Sequence, residues 1–275
     1  MPEQPHDIAF WGIFAKLKDL SIYEGRPGDL YGDTLADFYD RFVGDFIADV
    51  PVFEELLTPG GKVLDLACGA GRIGIPLARL GFRVDGVELS PEMLALANKR
   101  LLEEAPEVRN RLSFVAGDMS DFDLPTRYDL ILVGVTSISL LLTAEQRHGL
   151  FRSVRRHLAP GGCFIFDILD LSGDRWRALD NYLDVWSSET DEGTDYAIVG
   201  QRFFPKERLF SFNVYREQVG WDGTTTRVIG NSVKAWLDRE QLVTELSANN
   251  LAIIDEFDRN SVKYFVVRPV GGEAS

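Results

Sequence analysis

The stretch Val63-Leu64-Asp65-Leu66-Ala67-Cys68-Gly69-Ala70-Gly71-Arg72-Ile73-Gly74 constrains this chain more than any other. Val63, Leu64 and Leu66 suit a strand covered on both faces, as in a parallel sheet. Gly69 and Gly71 permit positive φ and let a ligand come close to the backbone. From Arg72 to about Leu80 the residues suit a helix, whose free N–H groups and positive dipole end face whatever is bound. Asp65 occupies the last inward position of the strand.

Two cofactor classes use a turn of this kind. Gly69-Ala70-Gly71-Arg72-Ile73-Gly74 satisfies the dinucleotide pattern G-x-G-x-x-G, and Glu88 follows at about the distance that would hold a ribose. Asp65 decides between the ligands. A dinucleotide brings a pyrophosphate into the turn, where a fixed carboxylate repels it. S-adenosylmethionine (SAM) brings no phosphate there. It brings an ammonium that Asp65 attracts and a carboxylate that suits a helix N-terminus. The residues favour SAM.

Beyond the turn, strands and helices alternate. Strands are expected over 83–89, 112–116, 128–135 and 163–169, and helices over 91–104 and 144–158. Ser90 caps the first of these helices, with Pro91 at its first position, and Pro160-Gly161-Gly162 stops the second. Repeated strand–helix units mean right-handed crossovers and a parallel, doubly wound sheet with helices on both faces. Ligands of such sheets bind beyond the carboxyl ends of the strands, where strand order reverses. Asp65, Glu88, Asp118 and Asp167 each stand at such an end.

The flanks differ from this core. Phe10, Trp11, Ile13, Phe14, Leu17 and Leu20 recur at helical spacing, which suits a docked helix, with a homodimer contact or a lid as the sharper readings. Gly25-Arg26-Pro27-Gly28 breaks that helix, and a second, amphipathic one is expected to run to about Leu57. Residues 175–187, with Trp176, Tyr182 and Trp186, suit a short helix. From Asp195 to Leu237 the pattern turns β-like, with Asp222-Gly223 as a hairpin signal. Asp238 caps a helix to about Asn249, and strands at 251–257 and 262–267 flank an Asp258-Arg259-Asn260 turn. The expected organisation is a helical cap or lid over 1–58, a Rossmann-like core over 59–172, a helix with an antiparallel insertion covering the active site over 173–237, and the last helix and strand pair over 238–275.

Composition narrows the function classes. The chain of 275 residues is 45% hydrophobic and 26% charged, within the ordinary globular range. A net charge of −14, without a basic stripe, argues against a nucleic-acid partner. No run approaches the ~18 apolar residues of a membrane span, and no signal-peptide pattern opens the chain. Cys68 and Cys163 are expected as reduced thiols of a cytoplasmic protein. His6, His148 and His157 lack metal-ligand spacing, so no metal centre is expected.

Val63 to Gly71 resembles the SAM-binding signature of class I methyltransferases. Val87-Glu88-Leu89-Ser90-Pro91-Glu92-Met93-Leu94, Gly117-Asp118-Met119 and Leu158-Ala159-Pro160-Gly161-Gly162 are similar to the later family blocks, in the same order. The resemblance spans roughly residues 30 to 170 and implies a Rossmann-like, seven-stranded α/β sheet, here with the antiparallel insertion. More narrowly, Tyr31 to Tyr39, Gly117-Asp118-Met119-Ser120 and the run from Arg152 to Gly162 resemble N-methyltransferases of antibiotic biosynthesis, which act on glycopeptides, amino sugars and ribosomally made peptides with a terminal amine, including the daptide type.

The resemblance implies residue roles. Backbone at Ala67, Gly69 and Gly71 would cradle the methionine part of SAM, with Asp65 near its ammonium and Arg72 and Tyr31 at its carboxylate. Glu88 would accept both ribose hydroxyls. Met93 and Met119 would sandwich the adenine, Asp118 would accept from its amino group, and Leu89 and Val133 complete the cofactor set. Methyl transfer is an in-line displacement on an activated donor, so the protein must orient a neutral nucleophile and exclude water. Tyr31, Tyr39, Ser137, Asp167 and Asp170 are the candidates at the mouth. The histidine that O-methyltransferases sometimes use as a base has no counterpart just after the fourth strand, where Val135-Thr136-Ser137-Ile138 stands, which favours nitrogen over oxygen as acceptor. The expected activity is SAM-dependent methylation of an amine on a small natural product or peptide. The alternatives are O-methylation of a small phenol or acid, an NAD(P)-binding oxidoreductase, and a SAM-binding module without turnover.

Overall fold

β-Branched and large apolar residues at buried positions build two separate sheets, and each sheet organises one unit of the chain. The structure is a computed structural model and describes residues 8–20, 22–23, 27–43, 49–259 and 262–271. The expectations for His6, for the break at Gly25-Arg26 and for Asn260 fall outside the described residues. Elements are numbered in chain order.

One unit comprises Asp40–Asp170 and Leu237–Ser275. Its sheet contains β2 (Lys62–Leu66), β3 (Arg83–Glu88), β4 (Leu112–Ala116), β5 (Tyr128–Val133), β6 (Leu158–Leu169), β11 (Leu251–Arg259) and β12 (Val262–Pro269). The spatial order is β11-β12-β6-β5-β2-β3-β4. From β6 to β4 every neighbouring pair is parallel, whereas β12 runs antiparallel to both β6 and β11. The helices of this unit are α3 (Val50–Glu54), α4 (Gly74–Arg79), α5 (Pro91–Glu103), α6 (Pro106–Arg109), α7 (Ala144–His157) and α9 (Arg239–Ala248). Val63, Leu130, Leu132 and Ile165 from the sheet join Phe53 of α3 and Leu77 of α4 in one buried core. Strand order reverses between β2 and β5, which is where such sheets bind ligands. The seven-stranded Rossmann-like sheet expected from the sequence is present.

The other unit comprises Met1–Tyr39 and Leu171–Trp236. It holds α1 (Gly12–Asp19), β1 (Gly28–Asp29), most of α2 (Asp33–Val43), α8 (Arg175–Leu179), β7 (Tyr182–Thr190), β8 (Gly193–Phe204), β9 (Leu209–Gly220) and β10 (Thr225–Ala235). The sheet order is β1-β10-β9-β8-β7, antiparallel throughout except for the short β1–β10 pair. Alternation along β9 separates its two faces. Ser211 and Asn213 point to the side that carries the N-terminal segment. There Asn213 accepts from the Trp11 N–H at 3.2 Å and donates to the Ala9 carbonyl at 2.6 Å, while Phe10, Trp11 and Phe14 pack on Phe204, Tyr215 and Ile229. Arg216 points to the opposite side, which Phe38 of α2 covers.

Three expectations need correction. The helix expected over 175–187 ends at Leu179, because Asn181 takes a left-handed conformation (φ 54°) and Tyr182–Thr190 pairs along its whole length with β8. Exposed Leu183 and Val185 mask the period of two there, while Trp186 turns inward onto Phe38 at 5.4 Å between rings. The β-like part of the chain therefore starts at Tyr182 rather than Asp195. The helix expected to continue to about Leu57 ends at Glu54, the last residue of α3 (Val50–Glu54), and residues 44–48 lie outside the described ones. The fourth strand stops at Val133, because Val135 and Thr136 both take left-handed φ (55° and 57°).

Inside the antiparallel sheet, Asp195 is fully buried and accepts from Arg216 at 2.9 and 3.1 Å. Removing one partner of a buried ion pair leaves the other charge desolvated, which costs about 3–5 kcal/mol. Asp195→Ala is expected to destabilise the protein by that amount in chemical denaturation. A loss below about 1 kcal/mol would mean that the pair behaves as a surface one.

Candidate active site

The β2–α4 turn is built from residues forced away from ordinary conformations. Ala67, Gly69 and Gly71 all have positive φ (54°, 56° and 82°). For Ala67 this is a strained, left-handed position. Cys68 N–H donates to the Val87 carbonyl at 3.1 Å, which carries the β2–β3 ladder one step into the turn. Gly71 must be glycine for a second reason, since a Cβ there would stand 2.8 Å from the Phe114 ring. The third glycine of the G-x-G-x-x-G pattern is different. A Cβ on Gly74 would meet nothing closer than 3.5 Å, so the tight helix packing that the dinucleotide fingerprint requires of this residue is absent.

Glu88, at the end of β3, holds the turn. One carboxylate oxygen accepts from Gly69 N–H at 2.8 Å and the other from Ser90 N–H at 2.8 Å. Each oxygen has a second lone pair beyond these bonds. Ser90 caps α5 by accepting from Met93 N–H, which sets Met93 against the turn, where its Cε lies 3.3 Å from the position of a Gly69 Cβ. Arg100 of α5 donates to Asp40 in a two-pronged pair, at 3.0 and 2.6 Å, and to the Ala70 carbonyl at 3.3 Å.

Asp65 lies beneath the turn and is 1% exposed. Its Oδ2 has no hydrogen-bond partner among the described residues. Burial pushes its carboxyl up to about 7, against the pull of Arg72 and with the help of the negative charges of Asp49 and Glu88. Arg72 is itself clamped by Asp49, through two bonds of 2.9 and 2.7 Å. Nothing in the sequence pairs Asp49 with Arg72. Asp49 precedes Val50-Pro51 and looks like an ordinary helix-start residue.

At the end of β5, Val133 is buried and Val135 is a β-branched residue at φ 55°. Asp167 of β6, 2% exposed, receives the Thr136 N–H at 2.9 Å and so fixes this strained turn. Ser137 follows, half-buried, at the start of a short 3-10 helix (Ser137–Leu140). Tyr264 of β12 pairs in register with Asp167, and burial, with Asp167 and Asp49 nearby, holds its phenol well above the usual range. Asp118 is exposed and accepts from Ser120 N–H at 2.7 Å, Met119 is buried, Leu89 is 68% exposed, and Asp170 stands just past β6.

The structure thus gathers Asp65, Ala67, Gly69, Gly71, Arg72, Glu88 and Met93 around one turn. Tyr31 and Tyr39 belong to the other unit. Their rings meet edge to face at 4.9 Å, and the Tyr31 hydroxyl lies 3.2 Å from Ser232 Oγ. Among the described residues no group of three or more His, Cys, Asp or Glu side chains could hold a metal. No helix of the described residues is long and apolar enough to cross a membrane.

The raised Asp65 carboxyl links stability to pH. Below about pH 7 it keeps its proton in the folded chain, whereas in the unfolded chain it ionises near ~4. Between these values the folded state holds a proton that the unfolded state has lost, so this group's contribution to stability falls as pH rises from about 4 to about 7 and is flat beyond. Asp65→Asn removes that penalty. Its melting temperature without ligand is expected to match wild type near pH 4.5 and to exceed it by at least about 3 °C at pH 8, by scanning calorimetry. An offset that does not change with pH would show that Asp65 does not titrate in this range.

Comparison with known proteins agrees with this geometry. Residues 63–162 match the family model described as a methyltransferase domain. The cypemycin N-terminal methyltransferase of a Streptomyces species is 32% identical over 154 residues, which is 56% of this chain and 59% of that protein. The chain spans about three fifths of the length of the curated relatives it matches first. Among solved structures, the CcbJ methyltransferase from Streptomyces caelestis superposes with a TM-score of 0.70 at 24% identity, covering 88% of this chain and 99% of that one. The glycopeptide N-methyltransferase MtfA, solved with SAM, gives a TM-score of 0.61 at 26% identity over 94% of this chain and 97% of its own. Residues 63–162 are a methyltransferase domain, carried on the class I methyltransferase fold.

Proposed function

We infer that the chain is a SAM-dependent methyltransferase that methylates an amine of a small natural product or peptide. The observation that carries this reading is Asp65, a buried carboxylate with one oxygen unpartnered among the described residues, beneath a backbone turn opened by left-handed residues. A cationic group satisfies it, and a pyrophosphate would be repelled. SAM supplies an activated methyl group together with such an ammonium. Glu88 has lone pairs left for the two ribose hydroxyls. Backbone from Ala67 to Gly71 takes the methionine part, with Arg72, already steadied by Asp49, toward its carboxylate. Met93 and Met119 flank the adenine, with Leu89 and Val133 beside it and Asp118 at its amino group.

On the acceptor side, Asp167 is a positioning residue through Thr136, and Ser137 follows on the turn it fixes. Tyr31 and Tyr39 are assigned to orienting the nucleophile on sequence alone. An amine must be bound unprotonated, which partial burial favours. Nitrogen is preferred because Val135–Ile138, just after β5, holds no histidine and because the similar proteins include cypemycin N-terminal methyltransferase and the glycopeptide N-methyltransferase MtfA. Two free, buried cysteines suit the cytoplasm.

Calorimetric titration with S-adenosylhomocysteine (SAH) beside NADH tests the cofactor. Wild type is expected to bind SAH saturably and NADH not at all, with Glu88→Ala weaker by roughly tenfold or more. NADH binding, or SAH binding that ignores Glu88, would sink the reading. An acceptor screen then separates amines from phenols, and methylation of phenols alone would move the assignment to oxygen.

The sign of the pH dependence follows from Asp65. An ammonium beside this carboxyl favours its ionised form, so binding below about pH 7 releases a proton and affinity rises with pH up to that value. SAH affinity is expected to increase from pH 5.5 to 7.5 in wild type and to lose this slope in Asp65→Asn. A slope that survives the substitution would place the titrating group elsewhere.

A further inference from the structure

We propose that an arginine-lined groove along α7 docks a carboxylate-rich polypeptide segment. The groove, of about 1260 Å³, runs along α7 from Ser120 and Asp121, next to Asp118 and Met119, to Arg127 just before β5, the start of β6 and the end of β12. Five arginines line it, Arg127, Arg152, Arg155, Arg156 and Arg268, and no lysine does. All five are exposed. Asp121 and Glu145 are its two carboxylates. A chain with a net charge of −14 therefore carries one concave surface of the opposite sign.

Ordinary roles do not account for this set. Arg155 and Arg156 complement the dipole in the last turn of α7. That explanation does not reach Arg127, Arg152 or Arg268, which lie on other elements or a turn earlier. Among the described residues none of the five forms an ion pair with an acidic group, although carboxylates outnumber cations in the sequence. Arg156 is instead held in place, donating to the Phe122 carbonyl at 2.8 Å and to Ser153 Oγ at 3.2 Å. Guanidinium forks are suited to planar, two-pronged anions, carboxylate or phosphate.

The lining separates these anions. Among the described residues no aromatic ring lines the groove, so a nucleobase finds no surface there to stack on. The cations are spread over three elements and a volume far larger than one phosphate fills, which suits an extended chain of carboxylates. The strongly negative total charge also disfavours a long nucleic acid, whose field would extend over the whole surface.

The test uses the full chain and a fluorescein-labelled peptide of alternating glutamate and glycine, read by fluorescence anisotropy. Wild type is expected to bind it saturably at low salt, and more weakly as salt approaches ~0.3 M. Arg152→Glu/Arg155→Glu/Arg156→Glu is expected to lose at least about tenfold in affinity. Arg127→Glu/Arg268→Glu, placed on other elements, supplies a second variant should the first fail to fold. Each variant is expected to unfold cooperatively, the α7 variant at a lower temperature because glutamate opposes the dipole at that helix end, and to keep wild-type SAH affinity, which distinguishes a lost groove from a lost fold or cofactor site. No saturable binding, or equal binding by wild type and both variants, overturns the proposal. So does equal or tighter binding of an oligothymidylate or of inorganic phosphate.

Discussion

Two backbone N–H groups from different elements converge on the carboxylate of Glu88. Gly69 contributes one from the turn after β2, and Ser90 contributes the other from the start of α5. Much of the cofactor edge depends on this junction. The turn would otherwise carry three left-handed residues with little to offset their strain. The Cys68 bond to Val87 anchors it on one side and the Arg100 bond to Ala70 on another. Because Ser90 also caps α5, the helix that presents Met93 is registered to the same carboxylate. Glu88 thus shapes the turn with one lone pair of each carboxylate oxygen and keeps the other two for further partners.

Most of the parallel sheet was legible in the sequence because its signals are local. Apolar runs such as Leu130–Val133 have no other use than burial, and Ser90-Pro91 is a helix start by itself. What escaped was decided by tertiary contacts. Trp186 is inward and Val185 is outward on an edge strand whose neighbours are not visible in its own residues, so 182–187 resembled helix. Asp49 and Arg72 are 23 residues apart, and their two-pronged pair exists only because α3 and the glycine turn meet. The left-handed pair Val135-Thr136 contradicts the propensity of both residues and is sustained by one bond to a carboxylate on another strand. Local rules fail at such places because the surrounding fold overrides them. At the candidate site, the residue types were readable, but the network that tunes Asp65 was not.

The antiparallel unit shows how a sheet can be covered by unlike means. On one face the N-terminal segment is fastened by main-chain bonds to Asn213 and Ser211, and aromatic rings of α1 fill the space beside them. On the other, Phe38 lies over both the Arg216 guanidinium, at 5.9 Å, and the Trp186 ring. A buried aspartate–arginine pair between these layers adds little net stability over an apolar pair. It does reject alternative registers of β8 and β9, since a slip of one residue would move Asp195 and Arg216 to opposite faces.

Cys68 lies in the β2–α4 turn itself, 6% exposed, with its thiol pushed above the usual range by burial and with Asp65 and Glu88 adding to the effect. Its sulfur stands 2.8 Å from where a Gly86 side chain would begin, so even one added methyl on β3 would press on it. A thiol so enclosed is a poor nucleophile while the turn is closed and an ordinary one when it opens. The chain therefore carries its own clock for the breathing of the turn. The rate at which a disulfide reagent reacts with Cys68 measures how often the loop lifts off its strand, with no probe introduced and no turnover required.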